Sequence, residues 1–217
     1  MKVNGIFGEV FLDFYERIIK KDKLASTYAS RRDFRDNTEN KSFDNVLFKI
    51  NDGEIEFVFA ESKFVTDKGS AQRSLIEDIK GKPASNGKKA VQGHLTIEFM
   101  NDYITFVVDK NAFFSDNDKR LLKPFFKELN DVLVNKNEDF ISFLIEKDVK
   151  INCVFFAVFK NSSVKPEDYI STYDAIEAET KQHLDAIGFK NYSVEIVFIP
   201  TFSESMEIKG AIDKYYE

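Results

Sequence analysis

Two segments rich in aromatic and β-branched residues, Phe43-Asp44-Asn45-Val46-Leu47-Phe48-Lys49-Ile50 and Ile55-Glu56-Phe57-Val58-Phe59-Ala60-Glu61, flank the tetrapeptide Asn51-Asp52-Gly53-Glu54. This pattern predicts a β-hairpin, and a two-residue type I′ turn at Asp52-Gly53 fixes its register. Asn51 then pairs with Glu54, and every other cross-strand pair keeps the same sum of residue numbers, which sets Asp44 opposite Glu61. Directly opposed residues have Cβ atoms about 5 Å apart, close enough for two carboxylates to hold one divalent cation. Lys63 follows two residues later, and the period of a strand returns it to the face of Glu61.

Two carboxylates side by side repel unless a cation or proton lies between them, so packing alone gives little reason for that placement. The plainer reading is a solvated hairpin end. Acid-x-Lys occurs six times, at Glu39, Glu61, Asp78, Asp148, Glu179 and Glu207, as expected of a chain that is 31% charged. What sets Glu61 apart is its place at the end of a long apolar strand, with an acidic register partner. Charges gathered at the end of a buried strand point to function.

The 217 residues suit one domain over 1–217, with a core of 1–81 plus 149–217 and a helical insertion at about 89–135. With 43% apolar residues and 23 phenylalanines the chain is globular. No apolar run approaches the ~18 residues of a membrane span, and Met1 to Val10 lacks the apolar region of a signal peptide; a cytoplasmic protein without membrane contact is expected. Cys153 is the single cysteine, within Ile151-Asn152-Cys153-Val154-Phe155-Phe156, and reads as a buried strand residue. His94 and His183 show no ligand spacing, and neither is assigned a role. A net charge of -6 argues against strong unaided binding to nucleic acid. Local basic clusters at Arg31, Arg32 and Arg35, and at Lys80, Lys82, Lys88 and Lys89, read equally as solvated loop charge or phosphate contacts.

Along the chain, Ile6, Phe7, Val10, Phe11, Phe14, Ile18 and Ile19 predict an amphipathic helix from about Asn4 to Lys21, packed on a sheet. Glu9 lies on the flank of its apolar stripe, where it either reaches toward the acids or is simply solvated. Leu24 to Ala29 predicts a short strand. Asp67 to Lys80 predicts a helix that turns Gln72 toward the sheet and Arg73 outward; Gln72 is placed to orient a water or a phosphate. Gly81 to Lys89 reads as a flexible connection, Val91 to Phe106 as a helix with a strand as alternative, and Ser115 to Leu133 as a helix broken or kinked at Pro124. Lys150 to Phe159, Pro166 to Ile187 and Tyr192 to Ile199 read as strand, helix, strand, which predicts a parallel crossover placing two strands beside the hairpin in a mixed sheet. A last short helix is expected over Glu204 to Glu217.

A helix carrying Gly8-Glu9, a strand with Phe43-Asp44-Asn45, a strand with Ala60-Glu61-Ser62-Lys63-Phe64, and a helix starting at Gly69-Ser70-Ala71 with Gln72 follow the order of the PD-(D/E)xK nuclease superfamily. With the late strands Ile151 to Phe159 and Val194 to Pro200, the chain most resembles the HamA C-terminal-like domain, the effector nuclease of Hachiman antiphage systems. Phe43 stands where the superfamily motif has proline. The resemblance implies an α/β fold, a restriction-endonuclease-like mixed sheet with flanking helices. It implies a Mg²⁺-dependent DNA endonuclease or nickase, with Mn²⁺ as an alternative metal, restrained by a partner helicase. Asp44 and Glu61, helped by Glu9, would hold the metal, and Lys63 would position the attacking water or stabilise charge on phosphorus. The competing readings are a non-catalytic interaction module that kept the fold, and another restriction or recombination nuclease of the superfamily.

Overall fold

The computed structural model describes residues 11, 12, 15, 24–26, 45–51, 54–84, 90–96, 120, 123–125, 127, 128, 131, 140–161 and 165–201. Its core is a five-stranded mixed sheet. The strands are β1 (Leu24–Ser26), β2 (Asn45–Asn51), β3 (Glu54–Val65), β6 (Lys150–Lys160) and β7 (Tyr192–Thr201), adjacent in that order. β1, β2 and β3 are antiparallel neighbours, whereas β3, β6 and β7 run parallel.

The hairpin register is the one the Asp-Gly spacing predicts: Asn51 pairs with Glu54, Phe48 with Phe57 and Asn45 with Ala60. Asp52 and Gly53 themselves lie outside the described residues, as do Asp44 and Glu9. The parallel crossover is present too. β6 and β7 are joined through a 3₁₀ turn at Pro166–Asp168 and helix α3 (Ile170–Ile187), so Pro166 opens the turn before the helix rather than the helix itself. Gly188 ends α3 at φ 109°, a left-handed conformation that favours glycine, and its N–H donates to the carbonyls of Leu184 and Asp185.

Side chains of β3 alternate between two apolar layers. Phe57 and Phe59 face a core built with Ala71, Leu75 and Ile79 of helix α1 (Lys68–Lys80), Ile141, Phe143 and Leu144 of α2 (Phe140–Glu146), and Ile176 and Leu184 of α3. Val58, Ala60 and Phe64 face the opposite layer, where the buried Leu12 packs, flanked by Phe11 and Tyr15. The described part of the first predicted helix therefore covers the face of the sheet away from α1. β6 is buried at every position from Ile151 to Phe159, as a central strand covered on both faces must be. Cys153 is one of these residues, and burial pushes its thiol up to about 12.

Helix α1 begins where the sequence predicts. The side chain of Asp67 caps it, its Oδ1 accepting from the N–H of Ser70 at 2.8 Å. Asp67→Ala is expected to fray this first turn, read as faster hydrogen exchange at the Ser70 amide. The segment after α1 departs from the sequence reading. Gly81–Lys82 (β4) and Val91–Gln92 (β5) form a small antiparallel ladder, and residues 94–96 are a bend, so the expected helix does not begin at Val91. The rest of that stretch lies outside the described residues. Arg120, residues 123–125, Lys127, Glu128 and Asp131 are helical, Pro124 among them.

Candidate functional site

Glu61 and Lys63 occupy alternate positions near the end of β3, on the face that α1 covers. Because α1 folds back over the strand that precedes it, its last turn lies against them. Asp78 is on that turn, three and seven residues after the buried Leu75 and Ala71, and so belongs to the helix's inward stripe. Lys63 Nζ donates to Glu61 Oε1 at 2.5 Å and stands 2.5 Å from Asp78 Oδ2. His94 completes the cluster, its Nδ1 3.3 Å from Glu61 Oε2 but without hydrogen-bond alignment.

His94 is brought there by its backbone. The N–H groups of His94 and Leu95 donate to the carbonyls of Asp78 and Ile79, at 2.6 and 3.3 Å, satisfying acceptors that the helix end would otherwise leave open. Gly93 makes this approach possible, since a Cβ there would lie 2.3 Å from the Ile79 carbonyl oxygen.

The Glu61 side chain is only 4% exposed, and those of Lys63 and Asp78 are 21% and 27% exposed. One ammonium cannot neutralise two carboxylates in such a place. Burial pushes Glu61 up, but the charge of Lys63 and the facing His94 outweigh it and hold the group down at about 2, ionised. Asp78 bears the remaining imbalance: burial and the Glu61 charge raise it to about 6, against the opposing pull of Lys63. The consequence for stability has opposite signs for the two acids. Asp78 binds its proton more readily folded than unfolded, so its contribution is fully present below pH 3.8 and lost as pH rises through about 6. Glu61 contributes above pH 4.5 and loses that contribution as pH falls toward about 2. Without added metal, melting temperature is therefore expected to rise on acidification from pH 7 to about 4.5, and Asp78→Asn is expected to flatten that rise.

Of the residues singled out in the sequence, Glu61 and Lys63 are together. Gln72 is half-buried on α1, six residues before Asp78 and thus about 9 Å away along the helix. Asp44 and Glu9 lie outside the described residues. Asp78 and His94 carry no role in the sequence reading. For Asp78 the available signal is an acid within a helix's apolar stripe. For His94 there is none, because its position depends on a docking between backbone segments. Of the basic cluster, Lys82 pairs with Glu77, and Lys80 lies 3.5 Å from Glu179, so local acids offset both charges.

The HamA family model matches residues 2–214, nearly the whole sequence. The chain belongs to the HamA family. Membership associates it with Hachiman antiphage defence. Comparison with curated proteins and with solved structures gives no match. No helix among the described residues is long and apolar enough to cross a membrane.

Proposed function

We propose that this HamA-family chain is a Mg²⁺-dependent DNA endonuclease or nickase, with a restriction-endonuclease-like core, acting as a defence effector under the control of a partner helicase. The observation that carries this reading is a buried Glu61 in contact with Lys63 on one face of a central strand. Folding alone gains little from burying such a pair, because desolvation offsets most of the attraction. Continued by one pair beyond Asn45 and Ala60, the hairpin register would bring Asp44 opposite Glu61.

The donor chemistry fits a hard divalent cation: carboxylate oxygens, with negative charge in excess of the one ammonium. Among the described residues no three His, Cys, Asp or Glu side chains are grouped to hold a metal ion. The space enclosed by Glu61, Asp78, His94, Leu95 and Phe155 has no room for a water molecule. Glu61 would hold the ion, with Asp44 and Glu9 as the further donors. Mg²⁺ there, or Mn²⁺ in its place, would polarise the phosphodiester and acidify a bound water. Glu61 would supply a ligand oxygen already deprotonated. Lys63 would present its ammonium to the attacking water or to charge developing on phosphorus, and Gln72 would orient the phosphate.

An acidic chain, -6 overall, holds duplex DNA weakly at physiological salt, which suits an effector that a helicase supplies with DNA through an interface of more than about 1,000 Å². A non-catalytic module of the same fold is the second reading; the pairing of Lys80 and Lys82 with Glu179 and Glu77, which offsets charge that a DNA interface would use, favours it. Incubating the purified chain, alone and with the helicase encoded beside it, with supercoiled, linear and single-stranded DNA decides between them. Cleavage that requires Mg²⁺ or Mn²⁺ supports the nuclease. Tight association with the helicase and no cleavage of any substrate supports the module.

A further inference from the structure

We infer that Asp78 and His94 are the positioning residues of this site, Asp78 fixing the ammonium of Lys63 and His94 fixing the carboxylate of Glu61; the inference rests on the nuclease reading above. Each acts through another residue and need not touch DNA. A lysine ammonium ends a flexible four-carbon stem, and one carboxylate contact leaves it free to swing about that contact. Here it is held from two sides, 2.5 Å from Glu61 Oε1 and 2.5 Å from Asp78 Oδ2. The other Glu61 oxygen faces His94 Nδ1 at 3.3 Å, so both edges of the carboxylate have a neighbour.

The two side chains come from one rigid unit. The His94 N–H donates to the carbonyl of Asp78 itself, and Leu95, 1% exposed, anchors the segment in the main apolar core. Gly93 lets the backbones meet at a distance no other residue allows. A segment locked in this way is a support for Glu61 and not a cover that opens over it. Catalytic groups misplaced by even about 1 Å lose much of their rate, and partners that orient ligand side chains are worth about 10- to 100-fold in activity.

The test uses the full chain with two readouts. In the first, the imidazole ¹⁵N resonances of His94 are compared between wild type and Glu61→Gln; they are expected to move while those of His183 stay in place. In the second, Mg²⁺-dependent cleavage of supercoiled plasmid is measured for Asp78→Asn, His94→Leu and His94→Asn. For Asp78→Asn and His94→Leu, kcat is expected to fall about 10- to 100-fold with KM within about twofold. His94→Asn, whose amide can donate from near the place of Nδ1, is expected to recover part of the loss. Unmoved His94 resonances, or wild-type kcat in Asp78→Asn and His94→Leu, would overturn the assignment while leaving the nuclease reading intact. An inactive wild type in the presence of Mg²⁺ and the helicase would overturn both. If a variant fails to fold, the effect of Glu61→Gln on the His94 resonances decides.

Discussion

Lys63→Ala is expected to lower the rate of Mg²⁺-dependent DNA cleavage by about 10²- to 10³-fold, the usual loss when a preorganised donor aimed at developing charge is removed. The same substitution removes the only described cation between Glu61 and Asp78, whose side chains are 4% and 27% exposed. Two like charges then face each other without compensation. Unfolding stability should fall by about 1–3 kcal/mol, less than for a fully buried pair because water reaches Lys63 and Asp78. From sequence alone these charges read as serving chemistry and not packing, which would leave the fold indifferent to their removal; the bridging geometry of Lys63 argues otherwise. Glu61→Gln separates the two effects. It keeps the shape of the side chain and relieves the repulsion on Asp78, yet weakens the contact that would hold the metal, so cleavage should be lost with little loss of stability. Initial rates on supercoiled plasmid, paired with thermal melts of both variants, check this. Full cleavage by Glu61→Gln would place the activity elsewhere in the chain.

Gly93→Ala is expected to cost about 3 kcal/mol of stability, as overpacking against rigid backbone does. The new Cβ would meet the Ile79 carbonyl oxygen at 2.3 Å and the Lys80 carbonyl carbon at 2.5 Å, both of them backbone atoms of the helix end that cannot rotate away. The strand-and-bend segment must then lift off α1, giving up the amide bonds of His94 and Leu95 and moving His94 away from Glu61. A chemical denaturation midpoint, with hydrogen exchange at the His94 and Leu95 amides, measures both parts of the effect. An unchanged midpoint would show that the helix end can yield.

The elements that local pattern dictates were legible in the sequence. Asp-Gly between two β-rich segments set the pairing of β2 with β3, because a two-residue connection leaves no freedom of register. Strand, helix and strand over the last third of the chain implied β6 and β7 in parallel, because an antiparallel return needs no helix between. The alternation of β3 by itself puts Glu61 and Lys63 on one face. Sequence period says nothing, however, of which helix residue meets that face. Asp78 lies seventeen residues beyond Glu61 and His94 thirty-three, and their meeting depends on how far α1 folds back over β3 and on a backbone docking that only a glycine permits. The same docking explains why a stretch with helix-like apolar spacing from Val91 begins instead as strand and bend: the open carbonyls of Asp78 and Ile79 capture the N–H groups of His94 and Leu95, and tertiary hydrogen bonding outweighs local propensity. Local periodicity thus determined the strands and the faces they present, while the charge balance around Glu61 was decided by contacts between residues that only the folded chain brings together.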